Sequence, residues 1–146
     1  MLVYLFGGMR GLTLSEANSW RKKAENFLRR HKINVYNPMK HVPKLRKNEK
    51  IKNFYLDKRR IKTEDIYYLK KADILLGRLD KISLGSAFEM GMGLALNKII
   101  IVWKVCDEIR EHPLLGESWD LEFETLEGAL NYILDLSEEE RNGTQN

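Results

Sequence analysis

Short apolar runs alternate with amphipathic stretches along the chain. Residues 2–6 and 98–104 are largely apolar, as in strands that are buried on both faces of a parallel sheet. Between such runs, apolar residues recur every three to four positions, which is the period of a helix with one buried face. The predicted strands span residues 2–6, 33–36, 72–79, 98–104 and 120–123, and the predicted helices span residues 14–31, 57–71, 84–96 and 126–136.

Strands that alternate with helices predict an α/β fold in which helices cover both faces of a parallel sheet. We therefore expect a single-domain, doubly wound, five-stranded parallel sheet with the flavodoxin-like (Rossmann-like) strand order 2-1-3-4-5. The domain is expected to span residues 1–137, and a polar C-terminal tail at residues 138–146 is expected to fray. In this strand order the loops after the first and third strands, residues 7–11 and 80–85, diverge and open a crevice where ligands bind.

Composition narrows the class of protein. At 146 residues, with 43% hydrophobic and 32% charged residues, the chain suits one domain with a sizeable core. The single cysteine, Cys106, cannot form an intramolecular disulfide, and no apolar run approaches the ~20 residues of a membrane span. The apolar start of the chain has no basic segment before it, so it is interpreted as a strand and not as a signal peptide. We expect a cytoplasmic protein without a membrane partner.

The net charge of +4 and the pI near 9.1 permit an anionic partner. Basic residues concentrate in residues 40–60, which form either a flap that steers phosphorylated substrates or a solvated loop and helix face. Only two aromatic residues, Phe54 and Tyr55, lie there, so no nucleic-acid partner is expected. There is no Walker A loop, no G-x-G-x-x-G motif and no metal-ligand spacing of His and Cys, so neither a cofactor nor a metal ion is expected.

Glu89 lies beside the apolar stripe of the helix predicted at residues 84–96. The stripe that we expect to face the core is Leu84, Phe88, Met92 and Ala95. Gly91 and Gly93 each cost a helix about 1 kcal/mol relative to alanine, which is tolerated where another group must approach the backbone closely. Either the helix packs tightly and Glu89 is exposed, or Glu89 is a functional carboxylate with space cleared around it for a ligand.

Asp65 falls on the apolar face of the preceding helix, because Ile61 and Leu69 lie four residues to either side. A buried aspartate is costly unless it is paired or used, and a sensitive pKa suits general acid catalysis. The alternative is a structural hydrogen bond to a neighbouring loop. Two carboxylates that face one crevice are the groups that cleave glycosidic bonds.

The loop at residues 7–11 suits an anion, because Gly7 and Gly8 let the backbone wrap around it and Arg10 binds phosphate bidentately. Ser83 and Gly85 open the next predicted helix, where free N–H groups and the helix dipole also favour an anion. Ser83 can also be the helix N-cap, and this role is compatible with anion binding.

Together these residues resemble those of the nucleoside 2-deoxyribosyltransferase superfamily, and within it the 2'-deoxynucleoside 5'-monophosphate N-glycosidases. The resemblance covers nearly the whole chain. It rests on YLFGGMRG at residues 4–11, Asn37-Pro38, EDIYYLKKADILL with Asp65, and SLGSAFEMGMGLALNK with Glu89. The last segment, with an acid 24 residues upstream of its glutamate, is fairly specific.

The resemblance implies hydrolysis of the N-glycosidic bond of a (deoxy)ribonucleoside 5'-monophosphate to free base and sugar 5-phosphate. By the same resemblance, Glu89 is the nucleophile that attacks C1' and forms a glycosyl-enzyme ester. Asp65 assists departure of the base and then activates water or a second base, while Tyr4 holds the nucleophile in place. Two alternatives stay open: a deoxyribosyltransferase that exchanges bases between deoxynucleosides, and a nucleotide-binding protein without catalysis.

The resemblance also implies how the 5' end of the substrate is bound. Transferases of the superfamily carry an aspartate six residues before the nucleophile, whereas this chain has Ser83 there, as the monophosphate hydrolases do. The implied phosphate-binding residues are Gly7, Gly8, Arg10, Ser83, Gly85 and His112. Gly8 departs from the serine of the hydrolases. His112 is either a residue that reaches the site of a neighbouring subunit, which implies at least a homodimer with shared active sites, or an ordinary loop histidine.

Overall fold

Five strands form one sheet. The computed structural model describes residues 1–53 and 57–144. The strands are β1 (Leu2–Gly7), β2 (Asn34–Tyr36), β3 (Ile74–Arg78), β4 (Ile99–Trp103) and β5 (Leu121–Phe123). They pair in the order β2-β1-β3-β4-β5, and each neighbouring pair is parallel. The predicted α/β fold class and strand order are therefore confirmed.

Helices lie on both faces of this sheet. They are α1 (Leu14–Arg30), α2 (Lys58–Arg60), α3 (Ile66–Lys71), α4 (Leu84–Ala95), α5 (Asp107–Arg110) and α6 (Leu126–Gly143). The helix predicted at residues 57–71 is one helical run in which a π-helical turn, Ile61–Asp65, joins α2 to α3. None of the helices in the described ranges is long and apolar enough to cross a membrane. Phe54 and Tyr55 of the basic stretch, and the last two residues of the predicted tail, lie outside the described residues.

The core has two layers, because alternate residues of a strand point to opposite faces of the sheet. The layer on the α1 and α6 face includes Leu5, Leu76, Trp20 and Leu130. The layer on the α3 and α4 face includes Tyr4, Leu75, Leu69 and Met90. Both faces of β1 and β3 are covered, so a ligand can approach these two strands only at their carboxyl ends, where the loops at residues 7–11 and 80–85 follow them.

The last helix is longer than the sequence predicted. The helix expected to end at residue 136 continues to Gly143. Ser137 is buried, and Arg141 Nη2 donates a hydrogen bond to the carbonyl oxygen of His31 at 2.7 Å. These contacts connect the end of α6 to the end of α1. Residues 138–143 are therefore polar because they face solvent, and the helix continues through them.

Helix α4 turns a different face to the sheet from the one predicted. Leu84 is 81% exposed and Phe88 is 57% exposed, so the prediction that their stripe faces the core is wrong. Gly93 is buried instead, and a Cβ at this position would lie 2.4 Å from Leu75 Cδ1. Helix α4 thus packs on β3 through the bare backbone of a glycine, which a count of apolar side chains cannot recognise.

Gly93→Val is expected to lower the free energy of unfolding by about 1–3 kcal/mol, because the added side chain overpacks the contact with Leu75. Gly91→Val is the matched control, since a Cβ at Gly91 meets no atom within 4 Å. This exposed substitution is expected to change stability by no more than about 0.5 kcal/mol. Urea unfolding of both variants checks the difference. Equal losses in the two variants would contradict the packing role of Gly93.

Candidate active site

A cavity of about 570 Å³ opens at the carboxyl edge of β1 and β3. The two strands are neighbours, and Gly7 at the end of β1 pairs with Arg78 at the end of β3. Residues from both following loops line the cavity, together with Glu89 from α4 and Asp65 from the π-helical turn. The strand order therefore brings the two acids and the two loops to one place.

Helix α4 begins at the wall of this cavity. Ser83 is its N-cap, and the Ser83 Oγ accepts a hydrogen bond from the backbone N–H of Ser86 at 3.4 Å. Ser83 also lines the cavity, so capping the helix does not remove it from the ligand site. Because the cap fixes the start of α4, it also fixes the position of Glu89 in the second turn.

Glu89 is held by a buried tyrosine. The Tyr4 hydroxyl donates to Glu89 Oε1 at 3.0 Å, and Glu89 keeps partial exposure towards the cavity. Burial raises the pKa of the Glu89 carboxyl to about 7, although the hydrogen bond from Tyr4 and the positive charge of Arg21 oppose that rise. The carboxyl therefore changes its charge near neutral pH, and one of its oxygens is held while the side chain faces the cavity.

Asp65 is held in the same way by a second tyrosine. The Tyr36 hydroxyl donates to Asp65 Oδ1 at 2.6 Å, and Asp65 lines the cavity although it is only 8% exposed. Burial raises the pKa of Asp65, against the lowering effects of the Tyr36 hydrogen bond and the nearby His41. The structure thus gives Asp65 both a structural hydrogen bond and access to the cavity.

The two tyrosines stand side by side. Tyr4 of β1 pairs with Tyr36 of β2 in the strand register, and their rings stack with centroids 5.5 Å apart. The ring of Tyr68 of α3 also stacks on Tyr36, with centroids 4.1 Å apart. Burial raises the pKa of both Tyr4 and Tyr36 far above the ordinary value, so both hydroxyls remain proton donors at neutral pH. A stack of rings therefore presents one hydroxyl to each acid.

His41 extends this network, although no sequence pattern singled it out as a site residue. His41 Nε2 lies 3.2 Å from the Tyr36 hydroxyl, 3.0 Å from Glu64 Oε2 and 3.8 Å from Asp65 Oδ1. Lys40 completes the group with an ion pair to Glu64 at 3.3 Å. Its contacts Glu64 and Asp65 lie more than 20 positions away along the chain, so no local pattern could predict them. The only local sign that His41 belongs to the site was its position shortly after Asn37-Pro38.

Five of the six predicted phosphate-binding residues line the cavity: Gly7, Gly8, Arg10, Ser83 and Gly85. His112 does not line it. This exposed histidine lies after α5, and its Nδ1 accepts hydrogen bonds from the backbone N–H groups of Leu114 and Leu115, each at 3.2 Å. Within one chain, the structure does not bring His112 to the site.

The first loop depends on two glycines with unusual backbone angles. Gly11 has a φ of +79°, which strongly favours glycine. Gly7 has a φ of +156°, and a Cβ there would lie 3.2 Å from both the Arg78 carbonyl oxygen and Trp20 Cζ2. The glycines therefore allow the chain to turn sharply over the end of β3. In the part of the chain that is described, no three His, Cys, Asp or Glu side chains are grouped so that they could hold a metal ion.

The comparisons with known proteins identify the family. The sequence model of the nucleoside 2-deoxyribosyltransferase family matches residues 3–142. The chain therefore belongs to this family, and the predicted resemblance is confirmed. The expectation of an enzyme, either a deoxyribosyltransferase or a related N-glycosidase, is confirmed at that level of detail. A search of the curated proteins found no match.

Solved structures share the fold. A 2-deoxyribosyltransferase of Bacillus psychrosaccharolyticus is 23% identical, with 90% of this chain and 92% of that chain covered and a TM-score of 0.66. A conserved protein of Enterococcus faecalis is 16% identical, with coverages of 89% and 94% and a TM-score of 0.60. The CMP N-glycosidase BcmB of Clostridium botulinum is 18% identical, with coverages of 93% and 99% and a TM-score of 0.58. At these identities, the structures support the fold and not a particular substrate.

The raised pKa of Glu89 links stability to pH. Because the folded-state pKa is about 7 and the ordinary value is 4.5, the folded protein keeps a proton that the unfolded chain releases. This contribution to stability is fully present below the unfolded pKa and is lost as pH rises through the folded pKa. Glu89→Gln removes the ionisation, so its Tm is expected to exceed that of the unsubstituted protein at pH 8 and to lose this advantage at pH 5.

Glu127→Gln provides the control, because a hydrogen bond from Lys23 lowers the pKa of Glu127 and its linkage to pH has the opposite sign. The stabilisation from Glu127 is lost only as pH falls below about 4.5, so this variant is expected to show the same Tm difference at pH 8 and at pH 5. Circular dichroism melts at the two pH values provide the measurement. A Tm difference for Glu89→Gln that is the same at both values would contradict the buried, raised pKa.

Proposed function

We propose that the protein hydrolyses the N-glycosidic bond of a (deoxy)ribonucleoside 5'-monophosphate to free base and sugar 5-phosphate, through a covalent glycosyl-Glu89 intermediate. The observation that carries the proposal is the pair of carboxylates, Glu89 and Asp65, in one cavity, each held by its own tyrosine hydroxyl. Two carboxyl groups with raised pKa values are suited to covalent glycoside cleavage near neutral pH.

The reaction proceeds in two steps. The ionised Glu89 attacks C1', a C1'–O bond forms, and the bond from C1' to the base nitrogen breaks, while a protonated Asp65 donates its proton to the leaving base. Asp65, now a carboxylate, accepts a proton from water as the hydroxide attacks C1' and releases Glu89. The Tyr4 hydrogen bond holds one oxygen of Glu89 throughout. Attack requires an ionised Glu89, whereas departure of the base requires a protonated Asp65. The rate is therefore expected to pass through a maximum as pH rises: ionisation of Glu89 near pH 7 raises it, and loss of the Asp65 proton lowers it.

The same cavity also offers groups that would bind a phosphate. Arg10, the backbone of Gly7 and Gly8, and the hydroxyl of Ser83 line it. The N-terminus of α4 also points its free N–H groups and its dipole at an anion in this position. A serine at position 83 can donate a hydrogen bond to phosphate, whereas an aspartate would repel it.

Base exchange between deoxynucleosides is the second candidate, because the matching family is described by 2-deoxyribosyl transfer. It uses the same Glu89 ester and differs in the acceptor, a second base in place of water. The candidates differ in the 5' group of the substrate. Ser83→Asp is therefore expected to lose monophosphate hydrolysis under the first proposal.

The deciding experiment is incubation with a panel of ribo- and deoxyribonucleosides and their 5'-monophosphates, with chromatography of the released base. Base is expected only from monophosphates, and Glu89→Gln is expected to lower the rate by about three orders of magnitude or more. Glu138→Gln, an exposed substitution on α6, is the matched control and is expected to keep full activity. Release or exchange confined to unphosphorylated deoxynucleosides would favour the transferase. Tight nucleotide binding without release would favour a nucleotide-binding protein.

We also propose that a second copy of the chain completes the site, in a homodimer with shared cavities. The apolar face of α4 that includes Leu84 and Phe88 is exposed beside the cavity. Next to His112, Leu114 is 69% exposed, and His112 lies outside the cavity of its own chain. Burial of these apolar side chains would stabilise a dimer that carries His112 to the partner's phosphate site.

Mixed dimers test this sharing. His112→Ala is expected to weaken monophosphate use by roughly tenfold, since one hydrogen bond to a charged group is lost. When this variant is mixed and refolded with Glu89→Gln subunits, each heterodimer contains one cavity without either substitution. Activity is therefore expected to rise above that of either variant alone. Sedimentation as a monomer, or no gain on mixing, would contradict the shared site.

A further inference from the structure

A second group of unusual side chains adjoins the cavity on the α1 face of the sheet. The group consists of two arginines and two tryptophans, Trp20, Arg21, Arg78 and Trp103. The Arg21 guanidinium carbon lies 4.8 Å from the Trp20 ring centroid, and that of Arg78 lies 5.4 Å from the Trp103 centroid. The two indole rings meet edge to face, with centroids 5.8 Å apart. Trp20 and Arg78 also line the cavity.

This cluster holds hydrogen-bond donors without partners. Arg21 Nε, Arg78 Nε and Trp103 Nε1 are buried and make no hydrogen bond with the described part of the protein. All three groups can only donate, so what the cluster lacks is an acceptor. Buried polar groups are nearly always satisfied. Of the three residues only Arg78 lines the cavity, so Arg78 is the one that an anion in the cavity can reach.

The charges of the cluster lead to the same conclusion. Arg21 is fully buried and donates to the backbone carbonyls of Gly7, at 2.8 Å, and Ala17. Among residues 1–53 and 57–144, no carboxylate forms an ion pair with Arg21, whereas Arg78 Nη2 pairs with Asp80 Oδ2 at 2.6 Å. Burial lowers the pKa of Arg21 to about 10, the negative charge of Glu89 opposes this lowering, and the charge of Arg78 adds to it. Of the two arginines, only Arg78 has a carboxylate in direct contact.

Arg78 is also in the right place to meet a ligand. It pairs with Gly7 in the strand register, so its backbone lies beside the glycine loop that lines the proposed phosphate end. Its side chain is 25% exposed, and its counter-ion Asp80 lines the same cavity. The Arg78 guanidinium can release the Asp80 carboxylate and bind a phosphate in its place, because a phosphate carries more charge and more acceptor oxygens.

We propose that Arg78 is a further substrate-binding residue that reads the dianionic phosphate monoester, and that Asp80 is its counter-ion only while the site is empty. The proposal rests on the proposed monophosphate substrate. When the phosphate binds, it takes the place of Asp80 on Arg78. A neutral 5'-hydroxyl cannot displace the carboxylate, so the Arg78–Asp80 pair selects phosphorylated substrates and leaves nucleosides weakly bound.

The two halves of this ion pair are expected to have opposite effects on phosphate binding. Arg78→Met removes the charge but keeps an unbranched stem over Trp103, and it is expected to weaken binding of ribose 5-phosphate about tenfold or more. Asp80→Asn removes the competing carboxylate, and it is expected to tighten the same binding by roughly threefold. Isothermal titration calorimetry with ribose 5-phosphate, and with inorganic phosphate, measures both effects without any turnover.

Control variants come from a second ion pair, between Lys23 and Glu127, which lies outside the cavity. Lys23→Met and Glu127→Gln are expected to leave phosphate binding unchanged. If Arg78→Met and Asp80→Asn weaken binding to the same extent, the pair is structural and the proposal is overturned. If Arg78→Met fails to fold by circular dichroism, Asp80→Asn and Arg78→Lys decide: tighter binding for the first and weaker for the second support the exchange, and any other pattern overturns it.

The titration also separates this proposal from the proposed reaction. If the two variants have opposite effects on phosphate binding but the protein releases no base, the proposed role of Arg78 is supported and the proposed hydrolysis is rejected. If the protein hydrolyses monophosphates with a KM that Arg78→Met does not change, the proposed hydrolysis is supported and the proposed role of Arg78 is rejected.

Discussion

The parallel pairing of β1 with β2 sets Tyr4 beside Tyr36, and the geometry of the acid pair depends on this pairing. The Tyr4 hydroxyl reaches Glu89 on α4, and the Tyr36 hydroxyl reaches Asp65 on the π-helical turn. One pair of strands therefore positions two acids that lie on different elements. Tyr4 stacks on Tyr36 and Tyr36 stacks on Tyr68, all within one core layer, so neither hydroxyl can move without disturbing that layer. A slip of the β1–β2 register by one residue would turn a different side chain towards each acid.

The tyrosines also set the chemistry of the acids. Burial in this layer favours the neutral form of each carboxyl, while a donated hydrogen bond favours the ionised form. For Glu89 the balance leaves the pKa at about 7, since burial outweighs Tyr4 and Arg21. An arginine in direct contact would have lowered the pKa much further and tied up both carboxylate oxygens. A neutral phenol restrains one oxygen and leaves the charge of the carboxylate available.

The sequence predicted the features that depend on local periodicity and failed where long-range contacts decide. The alternation of strands and helices predicts the parallel sheet, and the flavodoxin-like strand order expected with it predicts which two loops meet at the crevice. The exposed face of α4 was missed, because Gly93 packs by having no side chain and so leaves no mark in an apolar pattern. The extension of α6 depends on Arg141 reaching His31, a contact across 110 positions that no local window can detect.

Contacts of the same long-range kind hide part of the candidate site. Tyr36 reads as an ordinary strand residue and His41 as a loop histidine until the fold brings both to Asp65. Arg21 and Arg78 read as a polar helix face and a strand end, since nothing in the sequence indicates that Trp20 and Trp103 will meet between them. Sequence patterns locate backbone elements, whereas the partners of polar side chains depend on the packing of those elements.

The cavity must keep acids and cations apart although they attract one another strongly in a poorly hydrated site. The fold achieves this by giving buried charges neutral partners. Glu89 and Asp65 are held by phenols, and Arg21 is held by the carbonyls of Gly7 and Ala17. Each group is thereby fixed without a direct ion pair to an arginine or a lysine in the described part of the chain, so Glu89 and Asp65 can still gain and lose protons. The exception is Arg78 with Asp80, where opposite charges are already in contact, and under our proposal that is the contact a phosphate substrate replaces.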